Sequence, residues 1–280
     1  MIRIITDSAA DYEPNELIKK NITCVSMKIA FGSTEYQENI SLSKDQFYDM
    51  LIDGDEFPKT SQPSPFDFEN ILQDFKNAGD ECIIITISSA LSGTYQNATL
   101  TAKMLEYDSC YVIDSLNATG GQRMLADIAV KLRDEGKAAC EIVNIIETLK
   151  HKITLKACID TLEYLYKGGR LSKTAYTVGS FVNLKPVIEI NNEGKVEVCG
   201  KTLSIKKGLK TICNSIENNK PDSDYPIYIV YSHNKKYADV LVHNLRNLGF
   251  EIKDENIFNI GATIGAHVGP NACGYIYVSK

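Results

Sequence analysis

Three short segments of this chain collect side chains able to do polar chemistry: Thr60 to Pro65 (TSQPSP), Ser88 to Thr94 (SSALSGT) and Gly265 to Pro270 (GAHVGP). In the first, Pro58, Pro63 and Pro65 stiffen a loop and withhold backbone donors. That leaves the Thr60, Ser61 and Ser64 hydroxyls and the Gln62 amide to meet a small polar group. The second follows the buried-strand run Ile83 to Ile87 and precedes residues suited to a helix from Tyr95. A loop between the carboxyl end of a parallel strand and a helix N-terminus offers free N–H groups and a dipole's positive end, where anions bind. The third frames His267 with glycines and Pro270, reading as a loop whose backbone passes close to something.

Plainer roles compete with each of these. Ser92 can simply cap the helix while Gly93 eases a turn, and a lone histidine is usually structural. Two further chemistries use the same residues. Ser92 as nucleophile and His267 as base, with Asp7 or Asp114 orienting the ring, would make a hydrolase. The helix N-terminus alone would make a phosphate- or nucleotide-binding regulatory module. The chain holds no GxSxG elbow, HExxH, GxxxxGK[ST] or GxGxxG, so no motif names a hydrolase, NTPase or dehydrogenase.

These loops need a scaffold, and 280 residues most simply make two domains. A net charge of −6 argues against a nucleic-acid surface; the densest basic run, Lys150 to Lys156, is short. No apolar stretch reaches the roughly 20 residues that spanning a bilayer requires, so a cytoplasmic protein is expected. The eight cysteines are dispersed, with no CxxC pair, and most lie in apolar runs as small core residues; neither disulfides nor a metal site is expected.

Strand and helix alternate from the start. Ile2 to Ile5 reads as a strand, Glu13 to Lys20 as a helix with Pro14 in its first turn, and Ile22 to Phe31 as an alternating, half-buried strand. Ser43 with Gln46 forms a capping-box pattern, and helices follow over Phe66 to Lys76, Met124 to Leu132 and Ala138 to Leu149. This order predicts a parallel sheet with helices on both faces over residues 1–150. Residues 151–280 mix elements differently: a strand over Ile153 to Ile159, a short helix ended by Gly168-Gly169, a helix over TAYTVGSFVNL, a hairpin about Asn192 to Gly194, and a closing strand over Tyr275 to Val278. A mixed-sheet, α+β-like second domain is expected, with the boundary near His151 and any ligand held near the interface. Arg170, just after the glycine pair, is expected on an exposed turn.

Taken together, TDSAAD (6–11), TSQPSP, ISSALSGTYQNA (87–98), VIDS (112–115), YLYKGGRLS (164–172), LKP (184–186) and GAHVGPNACG (265–274) resemble the DegV family in order and over essentially the whole chain. DegV proteins are bacterial fatty-acid-binding proteins, some of which act as the FakB subunit of fatty acid kinase. The resemblance implies that the chain is a carrier rather than an enzyme. A long-chain fatty acid would be enclosed and its carboxylate offered to an ATP-dependent kinase subunit that makes the acyl phosphate, with transient contact to a membrane surface and no cofactor beyond the lipid. It implies that Thr60 and Ser92 hold the carboxylate with His267 nearby, Ser61 and Gly93 lying beside them, and that Arg170 engages the kinase. Asn271 departs from the glycine frequent after the GP pair, but asparagine tolerates left-handed backbone angles, so the turn is expected to survive.

Overall fold

The computed structural model describes residues 1–172, 184–217 and 219–280. The helix expected over 174–184 lies outside them, apart from its last position.

The first half carries strands β1 (Ile2–Asp7), β2 (Ile22–Val25), β3 (Lys28–Phe31), β4 (Thr34–Gln37), β5 (Lys59–Ser61), β6 (Glu81–Thr86) and β7 (Cys110–Asp114). Its helices are α1 (Pro14–Lys20), α2 (Lys44–Asp53), α3 (Pro65–Asn77), α4 (Thr94–Met104), α5 (Gly120–Asp134) and α6 (Ala139–Leu149). Strands β2, β1, β6 and β7 form, in that order, an all-parallel sheet. Successive strand residues serve opposite faces. Ile83 and Ile85 pack with Met124, Leu125, Ile142 and Ile146 of α5 and α6, while Ile84 packs with Phe68, Leu72 and Ala98 of α3 and α4. Both faces being covered explains the unbroken isoleucine run. Ser43 with Gln46 opens α2 as its pattern predicts, whereas Ser64, expected to offer its hydroxyl to a ligand, instead caps α3 with Asp67 and does not line the cavity described below.

The run from Ile22 to Phe31 is not one strand. It leaves the parallel sheet after Val25 and re-pairs as β3, the centre of a small antiparallel sheet ordered β4-β3-β5. At the break the Met27 N–H donates to Ser8 Oγ at 2.9 Å, replacing a strand partner. Met27 still buries its side chain, so the alternation continues through the break and conceals it.

The second half carries β8 (Ile153–Cys158), α7 (Glu163–Lys167), β9 (Lys185–Ile190), β10 (Val196–Thr202), α8 (Ile205–Ser215), β11 (Tyr228–Tyr231), α9 (Lys236–Asn247), β12 (Ile257–Asn259), α10 (Ala262–Val268) and β13 (Cys273–Val278). Its sheet runs β10-β9-β8-β13-β11-β12, antiparallel except for the β11–β12 pair. The parallel α/β unit and mixed-sheet unit match the expected architecture. Leu209, Ile212, Leu241 and Leu245 of α8 and α9 cover one face of this sheet. Leu155, Val230, Ile276 and Val278 join α5 and the parallel sheet in a single hydrophobic cluster that runs across position 151.

Candidate functional site

A cavity of about 300 Å³ lies where the loops of the parallel sheet face the mixed sheet, within the roughly 300–1,000 Å³ usual for small-molecule sites. Leu155, Ala157, Ile159 and Ile188 of the mixed-sheet half form one wall; Met27, Ile87, Leu91 and Ala118 form the opposite one. Thr60, Ser61, Gln62, Ser92, Arg170 and His267 line it too. Ser61 and Gln62 are exposed, whereas Met27, Ile188 and Ile260 are buried. The cavity therefore opens at the polar segments and is mostly apolar in its depth, where the buried Thr119 and Thr263 are the polar exceptions.

Each of the three polar segments reaches this cavity. Strand β5 sets Thr60 opposite Ile29, and the Thr60 Oγ1 lies 2.9 Å from His267 Nε2 across 207 positions of sequence. His267 is not on a loop. It occupies the last turn of α10, and Gly269 (φ 70°) ends the helix by donating its N–H to Gly265 at 2.8 Å. The glycines do mark close approaches: a Cβ on Gly265 would collide with Phe47 and Tyr48, and one on Gly269 with Tyr164. Asn271 takes φ 67°, so the departure from glycine is tolerated as expected.

His267 is half-buried with its Nδ1 shut off from solvent, and desolvation, with the nearby Arg170 charge second, pushes its ring down from 6.5 to about 3. The ring is neutral at physiological pH and carries one proton. Nδ1 has no hydrogen-bond partner among the described residues. An orphaned buried N–H is rarer and costlier than an orphaned acceptor, which favours the tautomer with the proton on Nε2. Nε2–H then donates to Thr60 Oγ1 and leaves the threonine's own hydroxyl hydrogen to point at an incoming anion.

The loop after β6 behaves differently from a bare anion cradle. Its N–H groups are already paired: Ser88 to Asn117 O, Ser89 to Asp114 Oδ1, Ala90 to Ser88 Oγ, Leu91 and Ser92 to Ser88 O, and Gly93 to Gln62 Oε1 at 2.8 Å. Six donors thus serve the loop and its neighbours, so hydroxyls are what the loop offers a ligand. Ser92 does not cap α4; Gly93 does, and Ser92 Oγ pairs with Thr94 Oγ1 at 2.9 Å. Gly93 has an ordinary φ of −77°, and its lack of a side chain makes room for the Gln62 carboxamide, with which a Cβ would collide. It is not among the described residues lining the cavity. Gln62, which joins the first polar loop to the second, carried no sequence signal beyond lying within TSQPSP. Thr119 and Thr263, which also line the cavity, had none.

Arg170 is half-buried rather than on an exposed turn. Its Nε donates to Leu91 O at 2.9 Å and its Nη1 to Gly168 O at 2.6 Å, folding the guanidinium back over the cavity. Burial lowers its pKa from the usual arginine value. It is the one Lys or Arg among the described residues lining the cavity.

A Ser–His–Asp relay is not assembled. His267 Nε2 faces Thr60, and Asp7 accepts from the N–H groups of Ala9 and Ile87. Asp114 accepts from those of Ser89 and Leu116. Both carboxylates brace loop ends, as an Asx turn does. Among the described residues no three His, Cys, Asp or Glu side chains converge as a metal site, and no helix is long and apolar enough to cross a membrane.

A family model described as "Uncharacterised protein, DegV family" matches residues 1–280. The chain belongs to the DegV family. A DegV domain-containing protein of Clostridium acetobutylicum is 32% identical over 283 residues, covering 100% of this chain and 99% of the relative. Among solved structures, a fatty-acid-binding DegV protein of Thermus thermophilus superposes with a TM-score of 0.90 at 26% identity, covering 100% of this chain and 99% of that one. A stearic-acid-binding protein of Eubacterium ventriosum superposes with a TM-score of 0.89 at 25% identity, with the same coverage. These structural neighbours of the DegV chain are fatty-acid-binding proteins.

Proposed function

We propose that this protein encloses one long-chain fatty acid in the cavity and presents its carboxylate to a partner ATP-dependent kinase of the FakB-associated type, which forms the acyl phosphate. The observation that carries this reading is a cavity mostly apolar in its depth and lined at its mouth by hydroxyls and a neutral imidazole. Burying about 14 methylenes at roughly 0.8 kcal/mol each contributes on the order of 11 kcal/mol before ordering costs. The head group then needs positioning more than affinity. Thr60, Ser61 and Ser92 offer donors to a carboxylate, with His267 backing Thr60. Hydroxyls leave the carboxylate oxygens polarisable toward a phosphoryl donor, whereas a bidentate arginine clamp would shield them. Gly93 contributes to this arrangement through Gln62. Arg170, held at the same mouth, supplies positive charge where a donor phosphate must approach.

The test is denaturing extraction of the purified protein with lipid mass spectrometry, paired with native mass spectrometry. One fatty acid per chain is the expected result; a chain that neither retains nor takes up a fatty acid overturns the reading. Acyl-phosphate formation on mixing the loaded protein with a cognate kinase and ATP tests the second half.

A further inference from the structure

The helix that bears His267, α10, has seven residues, including Gly265, and is too short to hold its shape alone. Its first turn is gripped by side chains from the opposite end of the chain. The Gly261 N–H donates to Asp11 Oδ1 at 2.8 Å. The Thr263 N–H donates to Glu38 Oε1 at 3.0 Å and the Thr263 hydroxyl to Glu38 Oε2 at 2.6 Å. The second oxygen of Asp11 accepts from the Thr119 hydroxyl. Lys44 Nζ ties the same corner, donating to the carbonyls of Asp11 at 2.9 Å and Asn259 at 3.0 Å. Asp11, Glu38 and Lys44 are all buried, and none lines the cavity.

One serine would satisfy an ordinary helix N-terminus. Two buried carboxyl groups and a lysine are a costly substitute, since taking polar and charged groups out of water is unfavourable and such groups are retained where they specify an arrangement. The packing leaves the helix little play, because a Cβ on Gly261 would collide with Glu38. We propose that Asp11 and Glu38 are positioning residues for His267: they fix the first turn of α10 so that the ring in its last turn meets Thr60. The lever is short but sufficient. With a rise of 1.5 Å per residue the ring lies about 7 Å beyond the clamp, and a tilt of about 10° moves it by roughly 1 Å, enough to break a hydrogen bond. The functional meaning of this clamp rests on the fatty-acid reading; its geometry does not.

The experiment uses the full chain with ¹⁵N-labelled histidine, delipidated and then titrated with palmitate. Glu38→Gln keeps volume but turns one acceptor into a donor; Asp11→Asn does the same for the other carboxylate. Lys44→Met removes a tie outside the cavity and serves if either carboxylate variant fails to fold. The expected result is native circular dichroism, palmitate affinity weakened about tenfold, and a His267 imidazole resonance displaced as it is in Thr60→Val. Combining Glu38→Gln with Thr60→Val should add no further displacement, which a merely structural role would not produce. Folded variants whose His267 resonances coincide with those of the parent protein overturn the proposal. Failure of the unsubstituted protein to bind palmitate overturns the fatty-acid reading instead, and the resonances still decide the clamp.

Discussion

Replacing His267 by glutamine should change how stability depends on pH, with a sign and size that follow from the burial of the ring. The ring falls from 6.5 to about 3 in the folded protein, so between those values the unfolded chain binds a proton that the folded one refuses. Stability from this group is therefore fully present above about pH 6.5 and is lost progressively as pH falls toward 3. The limiting slope is about 1.4 kcal/mol per pH unit, and the whole window corresponds to on the order of 5 kcal/mol. The assay is urea unfolding of delipidated protein at a series of pH values from 4.5 to 7.5, plotted as the difference between parent and His267→Gln. That difference removes the other carboxylates, which titrate alike in both. It should be flat above pH 7 and decline below 6.5; parallel curves throughout would refute the burial argument. Loading with palmitate should reduce the slope, because a carboxylate near the ring favours its protonated form.

Asp11 predicts the opposite sign: burial, opposed chiefly by Lys44, pushes it up to about 7, so the folded state takes the proton first and stability falls as pH rises from about 4 to 7. Asp11→Asn should remove that decline, and urea midpoints at pH 5 and 7.5 read it. Thr60→Ala and Ser92→Ala should each weaken fatty-acid binding by about 1–3 kcal/mol without unfolding the protein; unchanged affinity in the double variant would sink the head-group assignment. Arg170→Ala should lose about 1–2 kcal/mol of stability through the Leu91 and Gly168 carbonyls, keep its lipid, and fail in acyl-phosphate formation with a cognate kinase and ATP. Normal phosphorylation would remove Arg170 from the kinase step. Purified protein should show no ester hydrolysis dependent on both Ser92 and His267, and saturable turnover abolished by either substitution would revive the relay.

Much of the scaffold was legible because it rests on local rules. The isoleucines of β6 announced a sheet buried on both faces, and Ser43 with Gln46 announced the start of α2. What stayed hidden depends on distant partners. The break between Val25 and Lys28 is made by Ser8, the identity of α10 as a helix by Asp11 and Glu38, and the seating of Arg170 by Leu91 O. Periodicity over a short window sees none of these. The three polar segments could be named from residue type, yet their placement on a strand, a loop and a helix, and their meeting at one mouth, are properties of the folded chain. So is the pairing of every N–H from Ser88 to Gly93, which leaves hydroxyls as what that stretch of loop offers a ligand.

Strand β13 lies between β8 and β11, in the interior of the mixed sheet, yet follows every other strand in the chain. A ribosome makes both of its neighbours before it. Until it inserts, β8 and β11 have no bridge and the wall containing Leu155 and Ala157 is unsupported. The nascent chain can therefore complete its parallel sheet early, but it must expose the inner surface of the future cavity until synthesis has passed Val278. Such non-local closure is slow relative to helix formation. The yield of folded protein is then set by how fast β13 inserts against how fast that open wall meets another apolar surface.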